Sequence, residues 1–174
     1  MPASLRALPL LIALASALSS PAAAHVTLEQ REAPANSYYK AVFRVPHGCK
    51  GSPTVRVRIR MPDGATSIKP QPRPGWKLEV TRAKLAPPLD DGHGGKITER
   101  VSEVSWSGGR LLDEHFDEFA VMMKLPDRPG ATLHFPVVQD CEQGGHRWIE
   151  IPAPGKSDDD VREPAPALRL TPNK

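Results

Sequence analysis

Cysteine is nearly absent: Cys49 and Cys141 are the only two in 174 residues. They form no CxxC or Cys–His spacing, which argues against a thiolate metal site. Aromatic residues are also scarce, at 5%, too few for an extended ring-lined binding face. Neither sign of charge dominates. A formal net charge of +3 falls short of what neutralising a run of nucleic-acid phosphates demands. GxSxG, P-loop and HExxH sequences are missing, and with them the common marks of serine hydrolases, nucleotide-binding enzymes and zinc proteases. After residue 24 no apolar run reaches the length of about 18 residues that a membrane span needs. Proline, by contrast, is plentiful at 20 residues. It is scattered along the chain and leaves little room for long helices.

Residues 1–24 read as a secretory signal peptide. Arg6 precedes an apolar run from Leu8 to Leu18, and Ala22-Ala23-Ala24 fits an A-x-A cleavage site. Removing 24 of the 174 residues leaves 150, residues 25–174, enough for one domain with a real core. Loss of Arg6 lowers the net charge from +3 to +2. The short basic start and the cut without a lipidation cysteine point to a bacterial periplasmic or secreted protein that is soluble after cleavage. In that setting an even cysteine count predicts a Cys49–Cys141 disulfide. Its loop of about ninety residues gives at most roughly 4–5 kcal/mol in the chain-entropy account.

Cleavage there makes His25 the first residue. A free α-amine has a reference pKa of about 7.7–8, so it gives up its proton readily to a competing metal. With imidazole Nδ1 it closes a six-membered chelate, and two nitrogen donors in one plane suit Cu(II). The plain alternative is that signal peptidase leaves a histidine there with no role.

Period-two alternation marks the strands. Val55, Val57, Ile59 and Met61 interleave with Arg56, Arg58 and Arg60; Phe119, Val121 and Met123 with Ala120, Met122 and Lys124; Leu133, Phe135 and Val137 with His134, Pro136 and Val138. Segments 38–45, 76–81, 98–106, 147–151 and 167–170 read the same way. Glycine- and proline-rich turns separate them, among them Pro62-Asp63-Gly64, Ser107-Gly108-Gly109 and Gly144-Gly145. Eight or nine short strands predict an all-β fold, an immunoglobulin-like antiparallel β-sandwich in a single domain. Segment 83–96 reads as a mobile loop and 153–166 as an exposed connection. The arginine ladder at 56, 58 and 60 reads as a solvated strand face or a docking stripe for an acidic partner.

Alternation also sorts the candidate site residues. With Val26 and Leu28 in the core, His25, Thr27 and Glu29 share the opposite face. In His146–Ile151, residues Arg147, Ile149 and Ile151 share one face and His146, Trp148 and Glu150 the other. Placing the isoleucines in the core puts Trp148 outside or at a rim, where it caps a metal centre or covers a sheet edge. The six histidines (25, 47, 93, 115, 134 and 146) form no HxH or HxxxH pair. His47 and His146 lie near Cys49 and Cys141, so a disulfide would bring them together. Asp113–Glu118 is rich in donors but reads equally as a solvated loop. Met61, Met122 and Met123 read as core or near-core rather than a thioether copper site.

The opening His25-Val26-Thr27-Leu28, the segment Ser37–Pro46 and the segment Cys141–Pro152 resemble the YcnI-like copper-binding proteins, the DUF1775 family, over nearly all of the mature chain. The resemblance implies an exported immunoglobulin-like sandwich. It also implies Cu(II) held in a monohistidine brace by the amine and imidazole of His25, with Trp148 beside the ion. The family's carboxylate does not carry over. Where members have Glu after the Ser-Tyr of the early strand, this chain has Tyr39. Glu29, Glu32, Asp117 or a water is then expected to fill that place. The resemblance further implies copper trafficking alongside CopC/CopD-like or PCuAC-like partners.

The reading is therefore a copper carrier or buffer rather than an enzyme. Two alternatives stand beside it. A copper oxygenase of the lytic polysaccharide monooxygenase kind would need a second histidine, with His47, His115 and His146 as candidates. A metal-free adhesion or assembly module would be indifferent to the N-terminal amine.

Overall fold

The computed structural model describes residues 25–90 and 94–173; the expected signal peptide and His93 lie outside the described residues. The chain forms twelve strands among the described residues. They are β1 (Thr27–Leu28), β2 (Glu32–Pro34), β3 (Tyr38–Val45), β4 (Thr54–Arg60), β5 (Thr66–Pro70), β6 (Lys77–Asp90), β7 (Lys96–Leu111), β8 (Asp117–Lys124), β9 (Thr132–His134), β10 (Val137–Cys141), β11 (Gly145–Trp148) and β12 (Ala167–Thr171). One 3-10 turn, Asp158–Asp160, interrupts the last connection.

Two sheets carry the sandwich. One runs β1-β3-β8-β5 and the other β11-β10-β4-β7-β6. A third, β2-β12-β9, closes one side, and within it β12 pairs β2 in parallel. The alternating residues meet between the sheets as expected: Tyr39, Ala41, Phe43 and Val45 from β3, Phe119, Val121 and Met123 from β8, Val57 and Ile59 from β4 are all buried. Trp106 of β7 packs its ring on Phe119 of the facing sheet at 5.3 Å and donates its indole N–H to the Gln71 carbonyl at 3.0 Å. Burying an indole favours the fold only when its N–H is paired, and here it is.

Three local expectations are corrected. Segment 83–96 is not a loop over most of its length: residues up to Asp90 and from Lys96 belong to the long β6–β7 hairpin. Residues 133–138 are two strands rather than one, β9 and β10 in different sheets, because Pro136 lacks an N–H to continue a ladder. The arginine ladder lies on the partly exposed outer face of β4, as the solvated-face reading has it. Arg56 bonds Ser105 Oγ at 3.1 Å and Arg58 pairs with Asp140 at 3.3 Å. Met122 is exposed, while Met61 and Met123 are buried.

Candidate functional site

The site is built where the two sheets end. β1 is an edge strand of the first sheet and β11 an edge strand of the second. His25 immediately precedes β1, and Trp148 closes β11. Val26 and Leu28 are buried and Glu29 is exposed, which fits the expected alternation and leaves the His25 ring half-buried. Its centroid lies 5.4 Å from that of Trp148, with the planes tilted by 57°. The contact therefore crosses the seam of the sandwich.

Trp148 is placed differently from the sequence expectation. Only 4% of it is exposed, while Ile149 and Ile151 are exposed at 37% and 56%. The grouping of faces holds, but the core side is the other one. Cross-strand pairing explains why. Trp148 pairs with Val137, Val137 with Ile59, and Ile59 with Val104, one row along the inner face. The indole removes more apolar surface from water than either isoleucine, and its polar edge finds a partner. Strand β11 also stops at Trp148 instead of continuing to Ile151, and Glu150 bridges Pro164.

That partner is Gln139, a buried glutamine with no place in the sequence argument. Its Oε1 accepts the Trp148 indole N–H at 3.1 Å, and its Nε2 donates to the His47 carbonyl and to Thr54 Oγ1, both at 2.7 Å. Both amide hydrogens and the amide oxygen are thus used. Gln139 lies on β10 opposite His146 and Val57. It fixes Trp148 and the His47 backbone relative to one another.

The Cys49–Cys141 disulfide is present. As expected, it draws the His47 and His146 segments together: the two ring centroids lie 6.1 Å apart. His146 stacks on Trp148 at 4.9 Å with planes 25° apart. Its Nδ1 bonds Glu163 Oε1 at 2.8 Å. Partial burial raises the Glu163 carboxyl, but hydrogen bonds from His146 and from the Arg147 backbone N–H, with nearby positive charge, outweigh it and hold the group below its usual value.

A pocket of about 150 Å³ opens beside His25, lined by Arg31, Asp158 and Asp159 among others. Neither aspartate was a sequence candidate, because the connection carrying them has no periodicity. Glu29, Glu32 and Asp117 do not line this pocket. Glu32 is paired with Arg169 at 2.7 Å. Asp117 is held by Arg73, whose Nε donates at 2.7 Å. Glu29 is exposed and acts on Tyr39. Burial first, then the Glu29 charge, push the Tyr39 phenol up to about 12. Tyr39 itself is a core residue donating to the Gln30 carbonyl at 2.6 Å. Among the described residues no group of three or more His, Cys, Asp or Glu converges on one point. His115 is exposed and lies 3.9 Å from Glu114. Asp113 accepts from the Gly51 N–H at 2.9 Å. No helix among the described residues is long and apolar enough to cross a membrane.

Comparison with known proteins adds three findings. The profile of the family described as "Domain of unknown function (DUF1775)" matches residues 25–170. The copper-binding protein CutI of Bacillus subtilis (strain 168) is 27% identical over 112 residues, 63% of this chain and 48% of the relative. The match thus spans about half the length of that curated relative. A crystal structure of an uncharacterized protein from Nocardia farcinica, described as having an immunoglobulin-like fold, superposes with a TM-score of 0.63 at 25% identity. That superposition covers 84% of this chain and 98% of the other.

Proposed function

The chain belongs to the DUF1775 family, and from that premise we propose that it is an exported copper-binding protein that holds Cu(II) through the amine and imidazole of His25. The observation that carries the reading is the His25–Trp148 contact across the sheet seam, beside an acidic pocket. The similarity to a copper-binding protein of Bacillus subtilis supports the choice of metal. Export is supported by the composition of residues 1–24, and a family match that starts at residue 25 supports a mature chain beginning there.

The residues fit the ion in chemical terms. The imidazole sits at an edge, half in water, where an ion can reach it. Cleavage would release an amine on the same residue, and the two nitrogens would form the chelate that favours Cu(II). Asp158 and Asp159 line the pocket beside His25, so they join Glu29, Glu32, Asp117 and a water as candidates for the remaining ligand position. Trp148 holds the imidazole from one side and excludes water there. A single braced ion keeps open positions for hand-over. A carrier role rather than catalysis follows, with CopC/CopD-like or PCuAC-like proteins as the proposed exchange partners and the periplasm as the proposed location.

A competition titration tests this. Protein starting at His25 is expected to bind one Cu(II) tightly, and the same protein with its N-terminal amine acetylated is expected to bind at least ~100-fold more weakly, because the chelating amine is lost. Equal affinity in the two forms overturns the brace.

A second reading, copper-dependent oxidation of a polysaccharide, gains one observation: His146 shares Trp148 with His25. Ascorbate-driven release of oxidised oligosaccharides from chitin or cellulose would establish it. No release under copper loading leaves the carrier reading.

A further inference from the structure

We propose that the cleft between the second and third sheets is a binding site for a small organic anion carrying more than one carboxylate. It shares no lining residue with the pocket beside His25, and it does not rest on the copper reading.

The cleft has a volume of about 660 Å³, within the range of about 300–1,000 Å³ that small-molecule sites occupy. Its walls come from separate parts of the chain. The end of β4 and the β6–β7 hairpin form one side; the β8–β9 connection and β9 form the other. Met61 and Leu133, both buried, belong to its lining, with Pro62 and Pro136 beside them. A carbon skeleton gains from such apolar surface, and a bare inorganic ion does not.

Three arginines reach the cleft from three segments: Arg60 at the end of β4, Arg100 on β7 and Arg128 in the β8–β9 connection. Against Asp63 and Glu103 they leave one positive charge in excess. The carboxylates are also unevenly used. Arg100 takes Asp63, with Nη2 donating to Oδ1 at 2.5 Å and Nη1 to the Met61 carbonyl at 3.3 Å. Arg128 donates to a neutral acceptor, the Asp63 carbonyl, at 2.7 Å. Arg60 stands opposite Glu103 across the β4–β7 pair, yet its guanidinium has no ion pair among the described residues. Two planar guanidinium forks, one from each wall, thus remain to take a carboxylate each, the geometry that arginine recognises bidentately.

His134 of β9 also lines the cleft, and its Nδ1 is buried without a partner among the described residues. Buried N–H groups are left unpaired more rarely than buried acceptors. The neutral ring therefore carries its proton on Nε2, which makes that nitrogen a donor. A donor suits a carboxylate, which only accepts.

Calorimetric titration with citrate tests this, on the chain beginning at His25, without added copper and at low chloride. One equivalent is expected to bind, with 1H–15N amide shifts gathered at Ser102, Thr132 and His134. Arg60→Gln/Arg128→Gln is expected to weaken binding by at least ~10-fold, as loss of hydrogen bonds to a charged group does. Arg44→Gln, paired with Glu118 in the first sheet, serves as the control and leaves it unchanged. Arg60→Gln alone breaks no ion pair of the fold, so a loss of about 5-fold in that variant reads the same point should the double variant be unstable. Acetate and inorganic phosphate are separate arms, each expected to bind at least ~10-fold more weakly than citrate. No citrate uptake, shifts gathered elsewhere, or unaltered uptake in the Arg60 variant overturns the proposal. Phosphate binding as tightly as citrate overturns the carboxylate assignment. A failed copper site would show separately, as Cu(II) affinity that ignores the N-terminal amine.

Discussion

Gln139 shows how much one side chain can decide. It satisfies Trp148, His47 and Thr54 at once. Gln139→Leu would leave a buried indole N–H, a carbonyl and a hydroxyl without that partner. The expected cost is about 2–4 kcal/mol in chemical denaturation, with weaker Cu(II) binding because Trp148 is released. Tyr39 gives a pH prediction. Its phenol ionises near 12 in the folded chain against an ordinary value of 10.0. Below pH 10 both states keep the proton and stability is unaffected. Between 10 and 12 the unfolded chain loses it first, so stability falls as pH rises. Tyr39→Phe should flatten that alkaline limb and cost about 1 kcal/mol at neutral pH through the lost bond to Gln30; an unchanged limb would contradict the assignment. At this scale the cysteine pair was legible, because residue type and position carry it, whereas the pairing of His25 with Trp148 came from the family resemblance. The inner face of Trp148 was not legible, because alternation groups residues by face without saying which face the core takes. Gln139, Asp158 and Asp159 were invisible, since their roles come from partners distant in sequence.

Strand patterning was legible where both partners are long and alternate cleanly, as in β3, β4 and β8. It failed where a strand's length is set by its neighbour. β6 and β7 extend each other well past their apolar cores, and the outer part of β6 is largely exposed. That outer hairpin contributes little to the sandwich. Joining Lys84 to Glu99 through Asn-Gly, in place of the residues between, is expected to move the melting temperature by less than about 5 °C and leave copper affinity unchanged. A larger loss would mean that the hairpin tip supports the core. The two edge strands behave differently. β1 and β11 are short, yet they present His25 and Trp148.

For the molecule as a whole, all-β class and single-core packing followed from proline content and alternation. The parallel β2–β12 pairing did not, because register between distant strands leaves no local trace. The disulfide joins residues 92 apart. Replacing both cysteines by alanine is expected to cost up to about 4–5 kcal/mol by denaturant titration and to loosen the segment that carries His47. A cost near zero would mean that β4 and β10 hold that region unaided. The central claim is that a free N-terminal amine on His25 makes the copper site. Pulsed EPR of Cu(II)-loaded protein beginning at His25, beside the same protein with its N-terminal amine acetylated, tests it most directly. The account predicts couplings to two nitrogens of His25, one amine and one imidazole, with the amine coupling absent from the acetylated form. Identical spectra from the two forms would contradict it.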